Sequence, residues 1–239
     1  MALLTAEQVL TPTQREMDSR AWSFGGTWPY QPRWLFTDGI RIHYVDEGPR
    51  DGESVVMLHG SPAWAYVFRD AIRDVVDAGL RAVAYDQLGF GRSDKPSREA
   101  EYSLERHVRH LDALVEALGL PAVTLWARGS GEATANVWAA KNERRVREVV
   151  VDGAAPSWPP FLRFPLLGKA LVKGAHVAVR GSLSESGALD PEERAAFLAP
   201  HPSWASRSGI VASLASSPAP DALVRASASR ILAVAEQAR

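Results

Sequence analysis

The chain has 239 residues, is 46% hydrophobic and 23% charged, and carries a formal net charge of −1. That is globular composition, and it excludes a disordered chain and a binder that relies on charge to hold nucleic acid. There is no cysteine, which excludes disulfides and thiolate metal sites. No stretch reaches the roughly 18 uninterrupted apolar residues of a membrane span, and residues 1–20 lack the basic and apolar regions of a secretory signal. The expectation is a soluble, cytoplasmic protein with no membrane and no nucleic-acid partner.

In chain order, "IRIHYVDEG" (40–48) alternates like a strand, and "SVVMLHG" (54–60) is a buried-strand run ending in His-Gly. "WAYVFRDAIRDVVDAG" (64–79) has helical spacing and a glycine stop, and "RAVAYDQ" (81–87) is a strand. "YSLERHVRHLDALVEALGL" (102–120) predicts a long amphipathic helix with Ser103 as N-cap. Then come a strand over 122–128, a helix over 132–142 and a strand over 146–153. Strands alternating with helices imply parallel strands joined by right-handed crossovers, so the fold class is α/β. After Ala155 the pattern turns to proline, aromatics and helical pieces, with Pro191 in the first turn of one helix and no strand. The predicted organisation is an α/β core over residues 1–155 and a helical region over 156–239, without internal repeats.

Four stretches, "IHYVDEGP" (42–49), "HGSPAWAY" (59–66), "YDQLGFGRSDKP" (85–96) and the strand–turn–helix "LWARGSGEATANVWA" (125–139), together resemble an α/β-hydrolase. The run "AAFLAPHPSWASRSGI" (195–210) makes the chain similar to haloalkane dehalogenases, in the subfamily with its acid after the seventh strand. The resemblance extends from about residue 10 to the C-terminus. It implies a mostly parallel sheet, a helical cap inserted after the sixth of eight strands, and an active site between core and cap. It also implies nucleophilic substitution: an elbow aspartate attacks the halogen-bearing carbon, a histidine oriented by an acid activates water, and donors hold the halide.

In that pattern the elbow residue has a small residue two before and two after. Ala127 and Gly131 supply the flanks, which places Gly129 at the nucleophile position. Val146, which stands 17 residues beyond Gly129, matches the valine that opens the family's next strand. The register therefore leaves the nucleophile position vacant. Glycine adopts the strained elbow angles at little steric cost. Ser130 is a weaker candidate nucleophile, because a one-residue shift makes Arg128 and Glu132 the flanks; helix capping is its other reading. The family's halide-binding tryptophan and its Glu or Asn correspond here to Ser130 and Ser61, whose backbone N–H groups could still form an oxyanion or halide hole.

His59 and Gly60 are expected to shape a structural turn, and Asp86 to be structural. Of the six histidines (His43, His59, His107, His110, His176, His201), none follows a strand near the C-terminus. His107 and His110 read as surface or core-edge residues and as a weak metal signal. Asp152 is a weak candidate acid, one residue before the position some relatives use, and such a shift reverses the face of a strand. Arg128 and Glu132 read as a solvated or salt-bridged pair, with a substitute binding site as the alternative.

By the same comparison the sequence stops before the seventh strand. The expected function is therefore a haloalkane dehalogenase-like homologue without activity, lacking the elbow aspartate, the acid and the base. The alternatives are an active hydrolase with a non-standard site and a truncated remnant. No cofactor and no metal are expected. The expected partners are a small apolar or halogenated ligand and a second copy, paired through the sheet edge that "REVVVDG" would form.

Overall fold

The computed structural model describes residues 3–4, 22–152, 165–174, 178–180, 183 and 189–216. The Ala155 boundary, His176 and the helical pieces expected after residue 216 lie outside them. The strands are β1 (Leu3–Leu4), β2 (Arg33–Thr37), β3 (Ile40–Glu47), β4 (Ser54–Leu58), β5 (Arg81–Tyr85), β6 (Val123–Arg128) and β7 (Val146–Asp152). They form one sheet in the order β1-β2-β3-β5-β4-β6-β7. The pairs β5–β4, β4–β6 and β6–β7 are parallel, whereas β1, β2, β3 and β5 pair antiparallel. β7 is the strand that the family comparison counts as the sixth, and no strand follows it among the described residues.

β4, β5 and β6 are buried along their whole length, which is why their sequences are mostly apolar rather than alternating, with polar residues confined to Ser54, Arg81, Thr124 and Arg128. One face packs Trp64, Phe68, Ile72 and Trp126, and the other packs Leu111, Leu114, Leu125 and Trp138. The helices are α1 (Arg69–Asp77), α2 (Leu104–Ala117), α3 (Gly131–Lys141), α4 (Pro165–Lys173), α5 (Pro191–Leu198) and α6 (Ser208–Ser216). Ser103 caps α2 through its hydroxyl, which accepts from Arg106 N at 3.2 Å.

Three local expectations need correction. The front of the sheet is an antiparallel hairpin that periodicity did not reveal. Asp38 and Gly39 connect β2 to β3 with φ of 52° and 74°, the two positive values of a type I′ turn. The helix expected over 64–79 opens as a 3-10 turn, Ala65–Phe68, before α1 begins. His110 lies inside the molecule at 1% exposure rather than at the core edge.

The helices after residue 190 dock on the loop following β4. Trp64 Nε1 donates to the Ala196 carbonyl at 2.9 Å, and Phe197 packs edge-on to Tyr66. Buried Arg69 pairs with buried Glu193, and Glu193 Oε2 also accepts from Asp190 N at 3.3 Å to close the capping box of α5.

Candidate active site

β4 has β5 on one side and β6 on the other, so the chain leaves it in two directions. This is the topological switch point where open α/β sheets form a crevice beyond the carboxyl ends of the strands. His59, Gly60 and Ser61 follow β4 there, and Gly129 and Ser130 follow β6. Gly129 has φ of 45°, in the left-handed region that L side chains rarely adopt. At Gly131, a Cβ would stand 2.7 Å from the carbonyl oxygens of both Leu58 and His59. The start of α3 is thus pressed against the end of β4, and only glycine fits.

Ser130 occupies the N-cap position of α3, but its side chain caps nothing. Its Oγ instead accepts from Ser61 N at 2.8 Å. The Ser61 backbone N–H, expected to face a ligand, is therefore already engaged. Ser61 Oγ lies 2.6 Å from Ser213 Oγ on α6, and Ser213 also lies 2.7 Å from the Ile210 carbonyl. Hydroxyls from the turns after β6 and β4 and from helix α6 thus meet at the carboxyl ends of these strands. Ser213 escaped the sequence reading because nothing in its local pattern marks it; it is a serine in an apolar helix, and only the docking of α6 brings it to Ser61.

His59 is fully buried with both ring nitrogens engaged. Nδ1 lies 3.0 Å from the Gly60 carbonyl and Nε2 2.9 Å from Gln87 N. An N–H cannot donate to another N–H, so Nε2 is the acceptor and Nδ1 carries the proton. Burial lowers the pKa of the ring, in keeping with a neutral imidazole. Asp86 accepts from Ala65 N at 2.9 Å and Arg92 N at 2.8 Å, and its Oδ2 lies 2.8 Å from His43 Nδ1. Burial pushes the Asp86 carboxyl up, but the His43 ring and the Arg92 N–H hold it below its ordinary value. Both residues tie loops together beneath the crevice.

His201 Nε2 lies 3.3 Å from the Pro62 carbonyl and Nδ1 3.2 Å from the Ser206 carbonyl. Among the described residues, no histidine nitrogen hydrogen-bonds Ser61, Ser130 or Asp152. Asp152 pairs in register with Arg128 at the end of β7 and makes no side-chain hydrogen bond among the described residues. Arg128 and Glu132 form no ion pair with each other; Arg128 is buried, whereas Glu132 is exposed and lies 3.5 Å from Asn136 Nδ2. His107 and His110 pack edge to face, and no group of three metal-ligating side chains occurs among the described residues.

A family profile described as the alpha/beta hydrolase fold matches residues 53–174. A haloalkane dehalogenase of Mycobacterium marinum is 36% identical over 185 residues, which cover 72% of this chain and 60% of that protein. One of Mycolicibacterium paratuberculosis is 46% identical over 122 residues, covering 51% of this chain and 40% of that protein. The chain therefore spans less than two thirds of the length of these relatives. The crystal structure of the haloalkane dehalogenase DatA from Agrobacterium tumefaciens C58 superposes with a TM-score of 0.70 at 30% identity, covering 90% of this chain and 76% of that one. Strand order, the glycine-lined turn after β6 and these similarities agree: the chain belongs to the α/β-hydrolase fold family and is haloalkane dehalogenase-like.

Proposed function

We propose that this chain is a haloalkane dehalogenase-like protein without dehalogenase chemistry, which keeps the crevice of its relatives as a place for a small apolar or halogenated molecule. The observation that carries this reading is the turn after β6. Gly129 takes the positive φ of 45° and Gly131 the close approach, so the register that puts glycine at the attacking position rests on two independent features. Two further features support it. Ser61 N–H is engaged by Ser130, and His59, which follows β4 beside that turn, has both ring nitrogens engaged.

Restoring a carboxylate tests the assignment. Gly129→Asp, incubated with 1-bromobutane, is expected to gain one butyl group by intact mass. A carboxylate oxygen forms the C–O bond, the C–Br bond breaks and bromide leaves. The ester is expected to persist, because no histidine nitrogen among the described residues hydrogen-bonds Ser61, Ser130 or Asp152, and the parent protein is expected to stay unmodified. A butylated parent would overturn the reading, and a folded but unmodified variant would count against Gly129 as the attacking position.

A further inference from the structure

His59 and His201 are both fully buried, and the contacts of their ring nitrogens differ in kind. His59 meets one acceptor, the Gly60 carbonyl, and one donor, the Gln87 N–H, so a neutral imidazole satisfies both. His201 meets two acceptors. Its Nε2 lies 3.3 Å from the Pro62 carbonyl and its Nδ1 3.2 Å from the Ser206 carbonyl. A carbonyl oxygen only accepts, and a neutral imidazole has one N–H and one lone pair. In the neutral form one carbonyl therefore faces a lone pair, whereas the imidazolium donates to both. The two carbonyls belong to different parts of the molecule. Pro62 follows Ser61 in the turn after β4, and Ser206 lies in the 3-10 turn Ala205–Arg207 that leads into α6.

We propose that His201 is a proton-operated latch, which as an imidazolium ties the turn after β4 to the turn before α6 and, on losing a proton, lets go of one of them. On the core side the ring meets the edge of Phe90, with centroids 5.9 Å apart, and Phe90 meets His59 in turn at 5.4 Å, a ring whose own contacts keep it neutral. Asp86, in the same loop after β5, is bound to His43. On the helix side the neighbouring cation is Arg207. Its Nε donates to the His201 carbonyl at 3.0 Å, and its other nitrogens donate to the Lys173 and Pro202 carbonyls. Lys173 is paired with Glu99, 3.2 Å away. Burial and Arg207 oppose a charge on the His201 ring, and the two carbonyl dipoles favour it. Histidine is the side chain whose charge ordinarily changes near neutral pH, so these opposed effects make a switch rather than a fixed charge. Ser61 Oγ meets Ser213 of α6 at 2.6 Å, so release of the latch loosens the seat of α6 on the turn after β4. The latch does not depend on what stands at Gly129, so it holds or fails apart from the function proposed above.

Ring-nitrogen NMR spectra of the full chain, with His201 assigned by comparison with His201→Phe, test the proton count. Both ring nitrogens of His201 are expected to carry a proton at pH 6, and only one at pH 8.5. Hydrogen exchange over residues 205–216, corrected for the intrinsic effect of pH, tests the latch. Protection should be about fivefold lower at pH 8.5 than at pH 6, which is what one ordinary hydrogen bond is worth. The sign is that of a group that must be charged to act: protection is present at low pH and lost as pH rises. His201→Phe keeps a ring against Phe90 and should show equal protection at both values. If that variant does not fold, His201→Gln replaces it for both purposes. A single protonated nitrogen at both values, protection that does not fall at pH 8.5, or a fall that persists in the folded variant would each overturn the proposal.

Discussion

At the scale of single residues, the turn after β6 is governed by what its glycines permit. A Cβ on Gly131 meets two backbone carbonyls, which cannot swing aside as a side chain can. Gly131→Ala should therefore cost about 2 kcal/mol of unfolding free energy, as overpacked sites do. Ser130→Ala should cost about 1 kcal/mol, because Ser61 N–H loses its acceptor. Urea unfolding of the two variants checks both values, and an unperturbed Gly131→Ala would mean that α3 does not press on β4 as described. The position of Gly129 was readable from the small flanks and the spacing to Val146 because an elbow is a local motif. The bond between Ser61 and Ser130 was not, since 69 residues separate them and only the parallel pairing of β4 with β6 brings them together.

At the scale of elements, α2 carries the clearest dependence on pH. Burial first, and then neighbouring charge, lower the pKa of His107 to about 3 and that of His110 to about 4. Both lie below the unfolded value of about 6.5. The unfolded chain therefore binds more protons in between, and stability is complete above about pH 6.5 and declines as pH falls toward 4. Each ring contributes up to ~1.4 kcal/mol per pH unit in that window. Comparing urea unfolding at pH 7.5 and pH 5 should show this loss, and His110→Leu should reduce it. An equal loss in that variant would contradict the assignment. The joint between α5 and the core is the other element-scale prediction: Glu193→Gln leaves the buried Arg69 only the more distant Asp70 carboxylate, 3.9 Å away, and should cost about 3 kcal/mol in thermal or urea unfolding. Most elements were legible because their apolar periods are strong. β2 was not, since it is short and flanked by polar residues, although the Asp38-Gly39 pair at its end is a hairpin signal in its own right.

For the whole molecule, β7 is the edge of the sheet among the described residues. It exposes Arg147 and Glu148 and keeps only Val150 buried. Over Val146–Val149, where half-buried valines stand on either side of two charges, this edge is a surface that a second copy can extend. Self-association through β7 is our proposal. It predicts a mass by light scattering that rises with concentration and falls back when Val149 is replaced by Lys; a monomer at every concentration would contradict it. Burial of β4, β5 and β6 on both faces follows from their mostly apolar sequences. The docking of α5 and α6 over the turn after β4 does not, because it depends on distant pairs such as Arg69 with Glu193 and Ser61 with Ser213.

Our proposal that the turn after β6 carries no attacking group is tested most directly by bromide release. Purified protein incubated with short bromoalkanes should release bromide no faster than a heat-killed control, because Gly129 offers no atom to attack carbon. Release above that control, lost on changing Ser130 to Ala or Asp152 to Asn, would overturn the proposal.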